Sequence, residues 1–431
     1  MMIIGIDDTD SRTEGGCTTY LAAVLMEKLQ EHGTFADYPL LIRLNPNIKY
    51  KTRGNGAIAL SIEIEDSRLD TVKKIVLDEV ADQSKLSDEN TNPGVVFLNG
   101  VSEGMRDDLE SFSRRAMQDI LRIEDAKRLI NAHKIDSHEF KNGRGLIGAL
   151  AAAGIALNGI PDHTFELIAY REPGRASIGM PRDVDAESIR EADLQTYPRT
   201  WDTVDIVNGA IVCVPHGNDP VLFGIRGEID GVLDVFNCIM SEPAERAVIF
   251  RTNQGTDMHL MRVGLPIDQV KDGCSYILGG TVCGPPQTIH GGHVIFKIAD
   301  KSGTTIDCAA FEPTKNFRDT VRKLIAGDVV VVCGSVSNKT IHLEKIKIEH
   351  LAAGYDVTNP VCACGRRMKS AGVGQGYRCK QCGSTSSAPD RVPIKRDLDV
   401  GWYEVPPCAR RHIAKPLVRC AGGARLVHPG R

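Results

Sequence analysis

The chain has 431 residues, 42% of them hydrophobic and 25% charged, which is the composition of a soluble protein of several domains rather than a disordered or fibrous chain. Its longest apolar stretch, residues 146–160, is broken by three glycines and an Asn and is too short to span a membrane, and no secretory leader is legible at the start. The net charge of −4 hides an asymmetry: residues 362–431 carry 14 basic and 4 acidic side chains, which leaves −14 on residues 1–361, so the end suits a polyanion and the body suits metals or cationic ligands.

The chain opens with an apolar run, Met2 to Ile6, that predicts a buried strand, and Asp7, Asp8 and Asp10 crowd its end. Three carboxylates this close repel one another unless a cation neutralises them, and Mg²⁺ carrying phosphate oxygens suits such a set. Gly15 and Gly16 then lead into a predicted helix, Thr18 to Gln30, whose free N-terminal amides favour an anion. Either Thr18 or Thr19 could instead serve only as a helix cap.

Further along, Arg53-Gly54-Asn55-Gly56 precedes an alternating strand, Ile58–Ile64, and could offer amides and a guanidinium to phosphates, or simply turn the chain. Helical patterns follow at Leu69–Leu86, Arg106–Arg115 and Glu124–Ala132. A second Gly-rich turn, Asn142-Gly143-Arg144-Gly145, enters an apolar helix and is a second candidate for ATP. Strands are expected at Thr164–Tyr170, Asp205–Val214, Val221–Arg226 and Ala247–Thr252, with a helix near Ile229–Ser241. Four acids in or beside these apolar segments, Glu166, Asp202, Asp205 and Asp219, are candidates for a second metal or an amine substrate, because a buried carboxylate is costly without a partner.

From Ser275 to about Leu351 five short strands carry one helical piece, Asn316–Ala326, between the third and fourth, the order of an OB barrel. Cys362, Cys364, Cys379 and Cys382 form two knuckles able to close a tetrahedral Zn²⁺ shell, and basic residues without an intervening acid give the module a nucleic-acid-facing character. Cys213, Cys238, Cys308 and Cys333 sit in apolar runs as small hydrophobes, so the thirteen cysteines point to a reducing cytoplasm rather than a disulfide scaffold. The fold class expected is α+β and multidomain. A two-lobed α/β catalytic body spans 1–273, an OB-like nucleic-acid-binding barrel 274–352, a zinc ribbon 356–390 and a basic C-terminal tail 391–431. The tail shows no periodicity, and residues 352–431 read as separable from the ATP site.

The opening motif through Ser11 with Gly15-Gly16-Cys17-Thr18-Thr19, both Gly-rich loops, Pro215-His216-Gly217-Asn218-Asp219-Pro220-Val221 and the barrel followed by the Cys module together resemble the archaeal 2-agmatinylcytidine synthetases that act on an isoleucine tRNA. The resemblance covers essentially the whole chain, with a C-x-C first knuckle departing from the commoner ribbon spacing. It implies an ATP-dependent ligase that joins agmatine to C2 of the wobble cytidine of the CAU-anticodon isoleucine tRNA. It further implies cleavage of ATP to AMP and two phosphates, one phosphoryl group passing to a threonine that Thr18 matches and another to the cytidine O2. Two other readings stay open on the residues alone: a non-catalytic OB and zinc-ribbon nucleic-acid binder, and a Mg²⁺-dependent small-molecule kinase or phosphohydrolase. Oligomeric state is not legible.

Overall fold

The opening apolar run folds as the strand Met2–Asp7, paired antiparallel with Gly56–Glu63 on one edge and Gly94–Asn99 on the other. Both of its faces are covered: Ile3 packs into a core with the helix Leu146–Asn158, and Met2, Ile4 and Ile6 pack into another with the helix Thr18–Leu29. That is why it lacks the polar alternation of a half-exposed strand. The computed structural model describes residues 1–52, 54–172, 180–262, 266–420 and 426–431.

Among the described residues, ten strands form one sheet. In spatial order they are Asp136–Glu139, Gly94–Asn99, Met2–Asp7, Gly56–Glu63, Leu40–Arg43, Ala244–Thr252, Thr164–Arg171, Val221–Gly227 and Thr200–Trp201, with Thr34–Phe35 paired to Gly56–Glu63. The two lobes meet inside this sheet, where Leu40–Arg43 runs parallel to Ala244–Thr252. The strand expected over Asp205–Val214 is instead a separate hairpin of Val204–Asp205 and Ala210–Ile211. Asp205 turns the chain there by accepting the Asn208 backbone N–H at 3.0 Å. Cys213, Cys308 and Cys333 are buried as expected, whereas Cys238, at the end of the helix Ile229–Cys238, is exposed.

The barrel closes in the OB order. Ser275–Val282 pairs with Val294–Ala299, which pairs with Thr305–Ala310. Thr305–Ala310 runs parallel to Thr340–His350, and Val329–Ser337 closes the ring between Thr340–His350 and Ser275–Val282. The helix Phe317–Arg322 lies between the third and fourth strands. A two-stranded stem, Gly354–Thr358 with Asp390–Ile394, carries the Cys module.

The basic C-terminal segment does not hang free. Gly401–Glu404 adds to the barrel sheet beside Thr340–His350, and the chain beyond it buries Arg410, Ile413, Ala414 and Leu417 against the body. A four-residue strand is too short to show periodicity, so the sequence gives no sign of it.

The helix Leu146–Asn158 can lie against the opening strand because glycines face it: a Cβ at Gly5 would overlap the Ala149 carbonyl. Gly5→Ala is therefore expected to destabilise the protein by about 1–3 kcal/mol through overpacking. Gly104, on the exposed start of the helix Glu103–Gln118, has nothing within 4 Å of its Cβ position. Gly104→Ala should leave the thermal midpoint unchanged or slightly raised, and thermal denaturation of the pair checks the contrast.

Candidate active site

The end of the opening strand forms part of the wall of a cavity of about 750 Å³, lined by both lobes and by the C-terminal segment. Asp7 accepts the Asp8 backbone N–H at 2.7 Å. Asp8 leaves the strand in the left-handed region, φ 63°, which Asp adopts more easily than most residues. Its carboxylate meets Arg144 through Nε at 3.0 Å and Nη2 at 2.8 Å. Asp10 accepts the Thr52 hydroxyl at 2.8 Å. Gly148 is what lets a helix come so close, since a Cβ there would overlap the Asp7 carboxylate.

This crowding is electrostatically expensive. Burial, then the neighbouring Asp8, pushes the Asp7 carboxyl well above the usual carboxylate range. Burial raises Asp8 to about 6, against the pull of Arg144. An oxygen-only set of acids, two of them held above the ordinary carboxylate range, suits a hard divalent cation.

Thr18 is the first residue of the helix Thr18–Leu29, so the cap position falls on Cys17 rather than on either threonine. Its hydroxyl lies 2.9 Å from that of Thr9, while the Thr19 hydroxyl lies 3.0 Å from the Cys17 Sγ. Both threonines line the cavity beside the three acids.

The Gly-rich loops contribute unequally. Gly54, Asn55 and Gly56 line the cavity, and Arg53 lies outside the described residues. In the second loop the amides of Gly143, Arg144 and Gly145 are spent on the Phe140 carbonyl, the Asn142 side chain and the Asn92 carbonyl. Asn142, Gly143 and Gly145 are absent from the cavity wall, and the loop offers it the Arg144 guanidinium, which also stacks 5.4 Å from the Tyr50 ring.

The four acid candidates separate in the same way. Glu166 and Asp219 line the cavity; Asp202 and Asp205 do not. Asp205 is spent on Asn208 and on the Cys408 N–H at 3.2 Å. Asp202 belongs to a buried ladder of alternating charge. Arg43 lies 3.7 Å from Glu166, and Glu166 lies 3.6 Å from Arg226. Arg226 lies 3.2 Å from Asp202, Asp202 meets Arg410, and Arg410 lies 2.9 Å from Glu404. Its members come from both lobes, the C-terminal segment and the strand added to the barrel. Arg43, Arg226, Gly148 and His412, all at the cavity, carry no local signal in the sequence.

The four module thiols lie within 4.8 Å of one another, with Cys362 and Cys382 3.3 Å apart and Cys364 and Cys379 3.6 Å apart. Tetrahedral Zn–S bonds of about 2.3 Å place sulfurs roughly 3.8 Å apart, so the set fits structural zinc despite the short first knuckle. No disulfide joins the described cysteines, and no described helix is long and apolar enough to cross a membrane.

Two outcomes follow from these electrostatics. Asp202→Asn leaves two buried guanidiniums short of a counter-charge and is expected to cost on the order of 3–5 kcal/mol in denaturant unfolding. A carboxyl whose folded pKa is raised destabilises the fold as pH climbs from the ordinary carboxylate range through that raised value. Asp7→Asn should therefore melt higher than the parent at neutral pH without nucleotide or metal. The gap should close in acid, where the parent carboxyl is protonated.

Family models of the TiaS TCKD domain, the TiaS FLD domain and the TiaS C-terminal zinc ribbon domain match residues 3–142, 143–259 and 359–398. The isoleucine-tRNA 2-agmatinylcytidine synthetase TiaS of Methanosarcina mazei is 53% identical over 438 residues, covering 100% of both chains. A crystal structure of TiaS in complex with its isoleucine tRNA and ATP is 45% identical with a TM-score of 0.88, covering 100% of this chain and 98% of that one. Another, of TiaS with the same tRNA, AMPCPP and agmatine, is 42% identical with a TM-score of 0.85 and the same coverage. On these matches, which run the length of the chain, the protein belongs to the TiaS family of isoleucine-tRNA 2-agmatinylcytidine synthetases.

Proposed function

We propose that this cavity activates the wobble cytidine with ATP at its acid end and receives agmatine at its Glu166 end. The chain is an ATP-dependent tRNA-modifying ligase that joins agmatine to the cytidine of an isoleucine tRNA. The observation that carries the proposal is the enclosure of Asp7, Asp8, Asp10, Thr18, Arg144 and Glu166 in one continuous cavity.

C2 of cytosine is a poor electrophile, and phosphorylating O2 turns that oxygen into a leaving group. Asp7, Asp8 and Asp10 are the residues that would hold Mg²⁺, which when bound supplies positive charge to the transferring phosphoryl groups. Arg144, already paired with Asp8, adds a guanidinium to the same wall. The first turn of the helix Thr18–Leu29 directs its backbone N–H groups toward the anion. The Thr18 hydroxyl is the phosphoryl acceptor in this scheme, on the strength of the opening motif and of its place among the acids.

Glu166, with Asp219 on the same wall, receives the agmatine guanidinium. Glu166 Oε2 accepts the Gln254 side-chain amide, while the contacts from Arg43 and Arg226 are long and Gly224, whose Cβ position is 3.1 Å from Oε1, leaves that oxygen's edge uncovered. The barrel and the zinc ribbon grip the tRNA, and its cytidine leaves the anticodon stack to enter the cavity. A tRNA substrate, and cysteines used as a metal shell and as core residues rather than in disulfides, support a cytoplasmic reaction.

Asp8→Asn is expected to fold and to lose nearly all ATP cleavage; near-parental cleavage would remove Asp8 from the site. Thr18→Ser should keep part of the activity and Thr18→Val almost none. Peptide mapping after γ-labelled ATP that found label on Thr19 alone would reassign the acceptor. Glu166→Gln should raise the KM for agmatine at least about tenfold while ATP cleavage persists, since a charge-assisted pair to a guanidinium is lost.

A further inference from the structure

We propose that His412 is the general base that takes a proton from the attacking amine of agmatine. The inference rests on the reading of the cavity given above. His412 belongs to the C-terminal segment, yet its ring lines the same cavity as the acid cluster and Glu166.

The segment holds this residue still without using its side chain. Arg410 is locked into the buried ladder. Arg411 bonds Asn47 at 3.0 Å and Ser335 at 2.9 Å, and lies 3.3 Å from Glu344. The His412 carbonyl accepts the Gly255 N–H at 2.8 Å, and the Ile413 carbonyl accepts those of Thr256 and Asp257. The imidazole itself makes no hydrogen bond to a described residue. A rigid backbone presenting an unpartnered imidazole to a cavity is the arrangement that proton transfer to a bound substrate needs.

The surroundings favour the neutral imidazole. Its side chain is exposed to the cavity, and the protein packed around it, then Arg226 and Arg43, holds its pKa below the ordinary histidine value. Glu166 lies between those arginines and Asp219 on the same wall pairs with Arg182, while Arg410 and Arg411 turn to partners elsewhere.

The step balances. The agmatine ammonium gives one proton to a ring nitrogen of His412. The freed lone pair forms the C2–N bond, and the C2–O2 bond breaks with its electron pair going to the departing phosphate. That phosphate carries away a second N–H proton, and the imidazolium later returns its proton to water.

The test uses full-length enzyme loaded with tRNA and ATP, with labelled agmatine added in a single turnover across a pH series. A primary alkyl amine has a pKa of about 10, so near neutrality only about one molecule in a thousand is free base. Parental enzyme should show a nearly flat rate of incorporation around neutral pH. His412→Gln should incorporate agmatine about 100-fold more slowly there, climb about tenfold per pH unit toward the amine pKa, and cleave ATP as the parent does. Added imidazole should restore part of the rate to His412→Ala. His216→Gln, changing the other histidine on the wall, should not show this signature.

An unchanged rate in His412→Gln, a defect that ignores pH, equal loss of ATP cleavage, or the signature in His216→Gln alone would overturn the assignment. The reading of the cavity fails by a different result, ATP cleavage that survives in Asp8→Asn.

Discussion

The architecture depends on one buried electrostatic ladder, Arg43–Glu166–Arg226–Asp202–Arg410–Glu404. Three guanidiniums and three carboxylates alternate, so each buried charge has an opposite neighbour and the set is neutral. Such a ladder gives modest net stability for its size, because desolvation offsets much of the attraction, but it penalises any arrangement in which one member lacks its partner. It therefore works as a registration device. The first lobe, the second lobe and the C-terminal segment, with the strand it adds to the barrel, supply the members, and Arg43, Glu166 and Arg226 among them line the cavity.

The opposite situation holds at the other end of that cavity. Asp7 and Asp8 are crowded by design of the backbone, with Gly148 leaving just enough room for the Asp7 carboxylate and Arg144 compensating only part of the charge. The ladder is thus neutral in itself, whereas Asp7 and Asp8 keep a negative charge that Arg144 offsets only in part. That division matches a reaction in which phosphates and cations come and go at the acid end while the agmatine end keeps its shape. Cys408 and His412 of the C-terminal segment line the cavity, a placement that the basic composition of residues 352–431 does not show.

What the sequence made legible was local. Asp7, Asp8 and Asp10 read as one cluster because they crowd one strand end, and all three line the cavity; the two Cys knuckles read as a zinc shell because four ligands lie within two short turns. The barrel was legible from the order of its elements. Contacts across long separations were not. Asp202 shows burial through its apolar neighbours, but its partner Arg410 is 208 residues away, and Arg411 reaches Asn47 across 364. Burial therefore suggested that Asp202 and Asp205 had partners without distinguishing a substrate from another part of the chain. The Gly-rich loop at Asn142 misled in a related way. Its amides could face phosphates in isolation, and only the fold shows them turned onto Asn92 and Phe140.

The central claim is that one cavity makes O2 of cytidine a leaving group and then places an amine at C2. Its most direct test is to supply the isoleucine tRNA bearing a heavy-isotope oxygen at the C2 position of the wobble cytidine, together with ATP, Mg²⁺ and agmatine, and to follow that oxygen by mass spectrometry. The account requires the heavy oxygen to appear in one of the two released phosphates, in step with incorporation of agmatine. Heavy oxygen retained in the modified nucleoside, or released as water with both phosphates unlabelled, would contradict it.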